Sequence, residues 1–239
     1  MRTEKDSMGN MQVPDNAYYG AQTKRAMENF PISNIPISRS IIKSLGIIKR
    51  SAAIVNHQFG LLDKERKDAI VQAADEIIDA QFDNQFTVDI FQTGSGTSSN
   101  MNCNEIIANR ASELMGGKIG SRDPVHPNNH VNMGQSSNDV IPTAIHIAAN
   151  IEIENSLIPN LKLLANALNE KSEEFSSIIK IGRTHLQDAT PITLGQEFSG
   201  YVQMIKNGIE RLKNSQKDLS KLAQGGTAVG TGINTKKKF

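Results

Sequence analysis

Helical periodicity constrains the fold of this 239-residue chain more than any other feature of its sequence. The longest apolar pattern starts at Pro142, which suits a first helical turn, and continues past Pro159, which we expect to kink the helix. Apolar residues recur there at three- and four-residue steps and also occupy neighbouring faces: Ala144, Ile145, Ile147, Ala148, Ile151, Ile153, Leu157, Ile158, Leu161, Leu163, Leu164, Ala165 and Leu168. A helix that is apolar around its circumference belongs inside a bundle or an oligomer.

Four further segments have the apolar spacing of amphipathic helices. The first covers about residues 41–60 and ends at a glycine, and the second begins at Asp63, a suitable N-cap. The third covers residues 100–117 and is closed by two glycines. The last is expected from about Thr193 to about Gln224.

The predicted fold class is therefore mainly α, with little strand. Residues 86–92 (FTVDIFQ) are the only segment with a convincing strand pattern, and residues 117–134 are predicted to form a loop because Gly, Pro, Asn and His dominate them. Composition changes from loop-rich to helix-rich near residue 135, which predicts domains 1–138 and 139–239. Lys236, Lys237 and Lys238 are interpreted as a solvated end.

Composition and charge narrow the classes of partner. The chain has 26 Lys and Arg against 25 Asp and Glu, so no charge excess favours nucleic acid or an anionic membrane. We expect a small substrate instead. The single cysteine, Cys103, has no internal disulfide partner. No segment approaches the ~20 apolar residues of a membrane span, and the first residues lack an apolar signal core. These features predict a reducing, cytoplasmic compartment.

Three short polar clusters precede predicted helices: TGSGTSSN (93–100), GQSSND (134–139) and GRTH (182–185). Backbone N–H groups and the helix dipole at such positions favour an anion, either a carboxylate or a phosphate. Each cluster is also explained as an ordinary N-cap, since Ser, Thr and Asn are the residues that helix starts prefer. The second cluster has four capping residues where one would suffice, which favours a binding role: Ser136, Ser137, Asn138 and Asp139.

Other kinds of site have weaker support. FQTGSGTSS (91–99) lacks the third glycine of a dinucleotide loop. GGTAVGTG (225–232) lacks the lysine of a phosphate loop and follows a helix. His126 and His130 lie in a predicted loop around a proline, without a zinc-binding pattern. The sequence has no GxSxG elbow of a serine hydrolase. We therefore expect neither a metal nor a cofactor.

Long blocks in consistent order resemble the class II fumarate hydratases of the fumarase/aspartase superfamily. They are EKDSMG, YYGAQTKRAMENF, QTGSGTSSNMNCNEIIANRASELMGG, VHPNNHVNMGQSSNDVIPTAIHIAA, IGRTHLQDATPITLGQEFSGY and GGTAVGTGIN. The likeness covers nearly the whole chain and corresponds to the N-terminal half of a family member. It implies an N-terminal lyase domain over residues 1–138 and the first, truncated part of a central long-helix bundle over residues 139–239.

The resemblance implies a lyase that hydrates fumarate reversibly to L-malate. It assigns His185 as the catalytic residue that polarises or orients the reacting water, a task suited to a group that titrates near neutral pH. The residues that it assigns to the substrate are Ser95, Gly96, Thr97, Ser136, Ser137, Asn138 and Thr184.

Two further properties come with the family. An accessory dicarboxylate site would use His126, Asn128 and Asn129, although family members usually have Asp in place of Asn129. Active sites are assembled from three subunits of a homotetramer, and a loop with the proposed catalytic serine, a lysine and an asparagine follows the segment that this chain matches. The resemblance therefore predicts an incomplete site and unpaired apolar helix surface.

Two alternatives stay open at the level of sequence. An aspartate ammonia-lyase of the same superfamily typically has Thr at position 137 and Gln at position 185, so Ser137 and His185 favour a fumarate hydratase. A non-catalytic assembly module would use the long helices for oligomerisation and the polar clusters only as helix caps.

Overall fold

The computed structural model describes residues 1–236 and residue 239, so Lys237 and Lys238 of the predicted solvated end lie outside the described residues. The fold is mainly α, which confirms the predicted class. Its helices are α1 (Ala21–Asn29), α2 (Arg39–Gln58), α3 (Lys64–Ile78), α4 (Thr97–Leu114), α5 (Ser137–Glu152), α6 (Ile158–Glu174) and α7 (Leu194–Leu219). No helix in these described residues is long and apolar enough to cross a membrane.

Two antiparallel hairpins complete the secondary structure, β1 (Arg2–Asp6) with β2 (Gly9–Val13) and β3 (Ile179–Thr184) with β4 (Gln187–Thr193). The chain forms two compact units. Unit 1 comprises Met1–Ala148 and Leu222–Phe239, and unit 2 comprises Ala149–Lys221. The domain boundary inferred from composition, at residue 138, stays a prediction.

The core of unit 1 is formed by helices α2, α3 and α4. The predicted apolar face of α3 is buried, including Ile70 and Ile77, and it packs with Leu45 of α2 and Ile106 of α4. Helices α2 and α3 approach closely at Gly46, where a Cβ atom would lie 2.9 Å from Cγ1 of Ile78. The spacing of apolar residues thus determines which faces meet.

The starts of two neighbouring helices are satisfied in different ways. Asp63 caps α3 as predicted, because its side chain accepts the Arg66 N–H at 2.9 Å. Helix α1 follows Gly20, which has no side chain to cap it, and the buried carboxylate of Glu105 in α4 accepts N–H groups there instead. Its donors are Gly20, Gln22 and Thr23, at 2.8, 2.9 and 3.0 Å. Burial raises the pKa of Glu105, against the effect of these donors.

The predicted strand at residues 86–92 was wrong. Only Asp89 makes a ladder contact there, an isolated bridge to Pro36. The Asp89 carboxylate accepts the backbone N–H groups of Ser33, Asn34 and Phe91 at 2.6 to 2.8 Å. Burial opposes ionisation, but the N–H donors and the Ser33 hydroxyl outweigh it and hold the pKa of Asp89 at about 2. This carboxylate therefore holds a loop together in place of a strand pairing.

In unit 2, helices α6 and α7 pack together and bury Ala165, Val202 and Ile209. The predicted start of α7 is confirmed, with a capping box between Thr193 and Gln196, but the helix ends at Leu219, before the predicted end. Large apolar side chains stay exposed in this unit, among them Leu157, Leu163, Leu164 and Met204.

The long helix expected from Pro142 begins earlier, at Ser137, so Pro142 lies inside it and not in its first turn. Its regular hydrogen bonding is interrupted near Pro159, where a kink was predicted. A π-helical turn at Ile153–Leu157 separates α5 from α6, and Pro159 lies in the first turn of α6. Proline has no N–H to donate to the preceding turn, so the regular hydrogen-bond ladder cannot continue through this position.

Candidate active site

The first polar cluster lies at the start of α4. Gly96 precedes this helix with a left-handed backbone (φ +68°), and a Cβ atom on it would lie 2.9 Å from Cγ1 of Ile141. The side chain of Gln92 pairs with Ser99, accepting its N–H at 2.8 Å, and so caps the helix. The hydroxyls of Ser95 and Thr97, 2.8 Å apart, are exposed at the same helix start. Because Gln92 does the capping, these hydroxyls are available to a ligand.

The second cluster lies at the start of α5, and its residues have different partners. Ser136 acts as an ordinary cap, since its Oγ accepts the Asn138 N–H at 3.3 Å. The Ser137 hydroxyl instead accepts from Nδ2 of Asn100 at 3.2 Å, and Nδ2 of Asn138 donates to the Ala228 carbonyl at 2.7 Å. The capping interpretation therefore explains Ser136 but not Ser137 or Asn138.

These two clusters come together within unit 1. Asn100 of α4 bonds to Ser137 of α5, and Gly96 packs on Ile141 of α5. The N-termini of both helices therefore lie side by side with hydroxyl and amide groups around them. Such an arrangement suits the carboxylate of a small anion.

Asp139 ties this site to the segment that ends unit 1. Its side chain is 1% exposed and accepts the N–H groups of Ser136, Gly225 and Thr227 at 2.9, 3.1 and 2.8 Å. Two N–H groups of the glycine-rich segment 225–232 are thus already bonded to a carboxylate. This bonding agrees with the prediction that the segment is not a phosphate loop.

Sequence reasoning missed Lys49 of α2, which is fully buried. Its Nζ donates to Oδ1 of Asn132 and to Oε1 of Gln135, both at 2.9 Å, in the loop that leads into the second cluster. Burial lowers the pKa of Lys49 to about 8. The sequence did indicate that this lysine is buried, because position 49 follows Leu45 by four residues and so falls on the predicted apolar face of α2.

Thr184 and His185 lie in unit 2, at the tip of the β3–β4 hairpin. The expectation that they precede a helix was wrong, since strand β4 follows them and α7 begins only at Leu194. Thr184 pairs with Gln187, so His185 and Leu186 form the two-residue turn, with φ of 48° and 60°. A turn of this kind requires positive φ at both positions. Both side chains are exposed.

Of the residues assigned to an accessory site, Asn128 and Asn129 lie in one π-helical turn, Pro127–Val131, and His126 directly precedes it as its N-cap. Nδ1 of His126 accepts the N–H groups of Asn128 and Asn129 at 3.1 and 3.2 Å, and both asparagine side chains are exposed. Partial burial, aided by the charge of Arg122, lowers the pKa of His126. The imidazole is therefore a neutral acceptor that caps the turn. Within residues 1–236 and 239, no three His, Cys, Asp or Glu side chains are grouped as a metal site would require.

Comparison with known proteins gives consistent matches. The chain matches the family described as Lyase over residues 9–239. It is 59% identical over 238 residues to a class II fumarate hydratase of Halobacterium salinarum and 58% identical over 242 residues to the mitochondrial fumarate hydratase of Saccharomyces cerevisiae. Each match covers 100% of this chain, but only 50% and 49% of those relatives. The chain thus spans about half the length of the relatives that it matches.

A solved structure gives the same result. The crystal structure of a class II fumarase from Schistosoma mansoni superposes with a TM-score of 0.95 at 46% identity, covering 99% of this chain and 50% of that chain. Together these matches confirm the resemblance that the sequence motifs indicated.

Proposed function

The chain belongs to the lyase family, and from this premise we propose that it is part of a fumarate hydratase, which adds water reversibly across the double bond of fumarate to give L-malate. One observation carries the proposal. The clusters Ser95–Thr97 and Ser136–Asn138 meet at the N-termini of α4 and α5, where hydroxyl and amide groups and two helix dipoles favour a carboxylate. The relatives named fumarate hydratase support the choice of substrate.

The chemistry needs donors of this type. Removing the weakly acidic proton beside a carboxylate of malate develops extra negative charge on that carboxylate, and the hydroxyl group on the adjacent carbon then takes up a proton and leaves as water. Donors that are already oriented stabilise this charge without reorganisation. The hydroxyls of Thr97 and Ser137 have that character, because Ser95 and Asn100 hold them by hydrogen bonds of 2.8 and 3.2 Å.

His185 is proposed to orient or polarise the reacting water, with Thr184 as a further hydrogen-bond donor. The backbone of the turn supports this assignment, since His185 and Leu186 both have positive φ although neither is glycine. Residues held in such sparsely populated conformations cluster at functional sites. The exposed imidazole is free of the packing that would explain it as a core residue.

The proposal extends to assembly, compartment and a second site. A homotetramer that shares active sites between subunits would cover the exposed side chains of Leu157, Leu163, Leu164 and Met204. A cytoplasmic location remains part of the proposal, and His126, Asn128 and Asn129 are proposed as an accessory dicarboxylate site. The exposed amides of the two asparagines support this second site.

An absorbance assay with L-malate, run in parallel with L-aspartate, tests the proposal. The chain is assayed alone and with a polypeptide that corresponds to the remaining half of the relatives. We expect fumarate to appear from malate and not from aspartate. Turnover of aspartate alone would identify an ammonia-lyase, and a stable oligomer in sedimentation that neither turns over nor binds a dicarboxylate would identify an assembly module.

The role of His185 is tested by His185→Asn in the preparation that turns over malate. We expect turnover to fall by about 100-fold or more, as for loss of a proton-transfer group. The fold should be unchanged because the imidazole is exposed. Thr190→Ala on strand β4, another exposed position of the same hairpin, is the control and should keep full activity. Retained activity in His185→Asn would refute the role.

A further inference from the structure

Helix α2 holds the loop that precedes the second polar cluster at two points. Nζ of Lys49 donates to the side-chain oxygens of Asn132 and Gln135, both at 2.9 Å. Further along the same helix, Nδ2 of Asn56 donates to the Met133 carbonyl at 3.1 Å. The loop is therefore fixed to a core helix directly before Ser136.

A continuous set of hydrogen bonds leads from Lys49 to Ser137. Oδ1 of Asn132 accepts from Lys49 and also from Nδ2 of Asn100, at 3.3 Å. The same amide group of Asn100 donates to the Ser137 hydroxyl at 3.2 Å. Nδ2 of Asn132 donates to the Gln135 carbonyl at 3.2 Å and closes the loop. Lys49 is thus connected to a hydroxyl of the proposed substrate site through Asn132 and Asn100.

The surroundings of the Lys49 ammonium group are unusual for a buried charge. Its hydrogen-bond acceptors, Asn132 and Gln135, are neutral amides and not carboxylates. The titratable groups that face it are Cys103 from α4 and Asp139 from α5. Burial raises the pKa of Cys103 to about 12, so the cysteine stays neutral. A buried charge with so little compensation lowers stability, and an apolar residue would suit the core better.

We propose that Lys49 is a positioning residue of the dicarboxylate site: it holds the Asn132–Gln135 loop, orients the Ser137 hydroxyl through Asn132 and Asn100, and places a positive charge behind the Ser136–Asn138 cluster. The nature of the ligand rests on the proposed function. The positioning itself is a property of the chain and is tested separately.

The primary experiment compares Lys49→Met with Lys43→Met, the same change at an exposed position of the same helix. The rate of hydrogen exchange at the backbone amides of residues 132–137 measures how firmly the loop is held. Calorimetric titration with fumarate measures the affinity of the site. In Lys49→Met we expect exchange in this loop to be about tenfold faster, because the anchoring bonds are lost. Affinity for fumarate should fall about tenfold. Lys43→Met should leave both unchanged.

A second variant separates charge from position. In Asn132→Asp, Nζ keeps an oxygen acceptor and gains a carboxylate partner, but the Nδ2 donor to the Gln135 carbonyl is lost. Exchange in residues 132–137 should therefore rise by less than the roughly tenfold expected for Lys49→Met, while fumarate binds more weakly. The dependence of fumarate affinity on pH is a further measurement, and a purely structural role of Lys49 would not affect it. In the wild type, affinity should fall between pH 7 and pH 9 as Lys49 loses its proton near pH 8, and in Lys49→Met this fall should disappear.

Unchanged exchange and unchanged affinity in Lys49→Met would overturn the inference. If the wild-type chain binds no fumarate, the proposed function fails, and hydrogen exchange still decides the inference: a loosened loop supports it and an unchanged loop refutes it. If Lys49→Met does not fold, the measurements on Asn132→Asp decide whether Lys49 is a positioning residue. Loop exchange that rises by less than about tenfold, together with weakened binding, supports the inference, and unchanged binding refutes it.

Discussion

Unit 1 buries many polar side chains, whereas the buried positions of unit 2 are apolar or glycine over the residues described. The buried polar set of unit 1 includes Lys49, Asn100, Glu105 and Asp139. The buried residues of unit 2 are Ile158, Ala165, Gly195, Val202 and Ile209. The two sets of proposed active-site groups therefore stand in different surroundings, one backed by a buried network and the other at an exposed hairpin tip.

This difference shows two ways of holding a functional side chain. Ser137 depends on partners from α4 and on a loop anchored to α2, so its position is a property of the tertiary structure. His185 depends on a turn defined by a two-residue loop and antiparallel pairing, so its position is local. Substitutions behind Ser137 should be costly for stability, and substitutions near His185 should be nearly neutral.

The largest expected difference is between Asp139→Ala and Asp188→Ala. Asp139 accepts three backbone N–H groups in a buried site, and its removal leaves these donors without a partner. We expect a loss of about 3 kcal/mol in the free energy of unfolding. Asp188 on β4 is exposed, so the same substitution should change stability by less than about 0.5 kcal/mol. Urea unfolding followed by circular dichroism measures both, and equal effects would break the comparison.

A smaller contrast is expected between two glycines. Gly96→Ala places a Cβ atom 2.9 Å from Ile141 on a backbone with φ +68°, which should cost about 2 kcal/mol. Gly200 lies within α7, where a Cβ would meet no atom within 4 Å. Gly200→Ala should therefore stabilise the chain by about 0.5–1 kcal/mol. Thermal unfolding shows whether each substitution raises or lowers stability. A stabilising Gly96→Ala would contradict the close approach of α4 and α5.

The turn that holds His185 offers a still smaller effect. Leu186 has φ 60° and is 95% exposed, so Leu186→Gly relieves backbone strain without loss of packing. The relief of about 1 kcal/mol is partly offset by the greater freedom of glycine in the unfolded chain, which leaves a net gain of about 0.5 kcal/mol. Leu186→Ala, which keeps the strain, is the control. Lower stability in Leu186→Gly would show that the side chain makes a contact that the backbone geometry does not reveal.

The pH dependence of stability tests the neutral His126 cap. Its folded pKa is lowered from 6.5, so the unfolded state takes up protons first as the pH falls. The contribution of His126 is therefore complete above pH 6.5 and is lost as the pH falls through 6.5 toward the folded value. His126→Asn keeps a side-chain oxygen for the same N–H groups but does not titrate, so its urea midpoint should vary less between pH 7.5 and pH 5. An unchanged slope would show that His126 is not the cause.

Several features of the fold and site followed from the sequence because their causes are local. The Asp63 cap, the start of α7 at Thr193 and the break near Pro159 depend on residues within one or two turns. The Ser136–Asn138 cluster was found from its surplus of capping residues, and its substrate role was assigned through the family motifs. The strand expected at residues 86–92 was wrong because Asp89 takes N–H donors from a loop more than fifty residues away in sequence.

The sequence by itself determined the helical class, the faces that helices such as α3 bury and the lyase family, because apolar spacing and motif order are written in neighbouring residues. Only the tertiary structure decided that Glu105 serves the start of α1, that Asn100 bonds to Ser137 and that Lys49 anchors the loop before the site. These partners lie 85, 37 and 83 residues apart. Pairings over such distances form only when the core brings the helices together, because a buried polar group must then find its partner among whatever surrounds it.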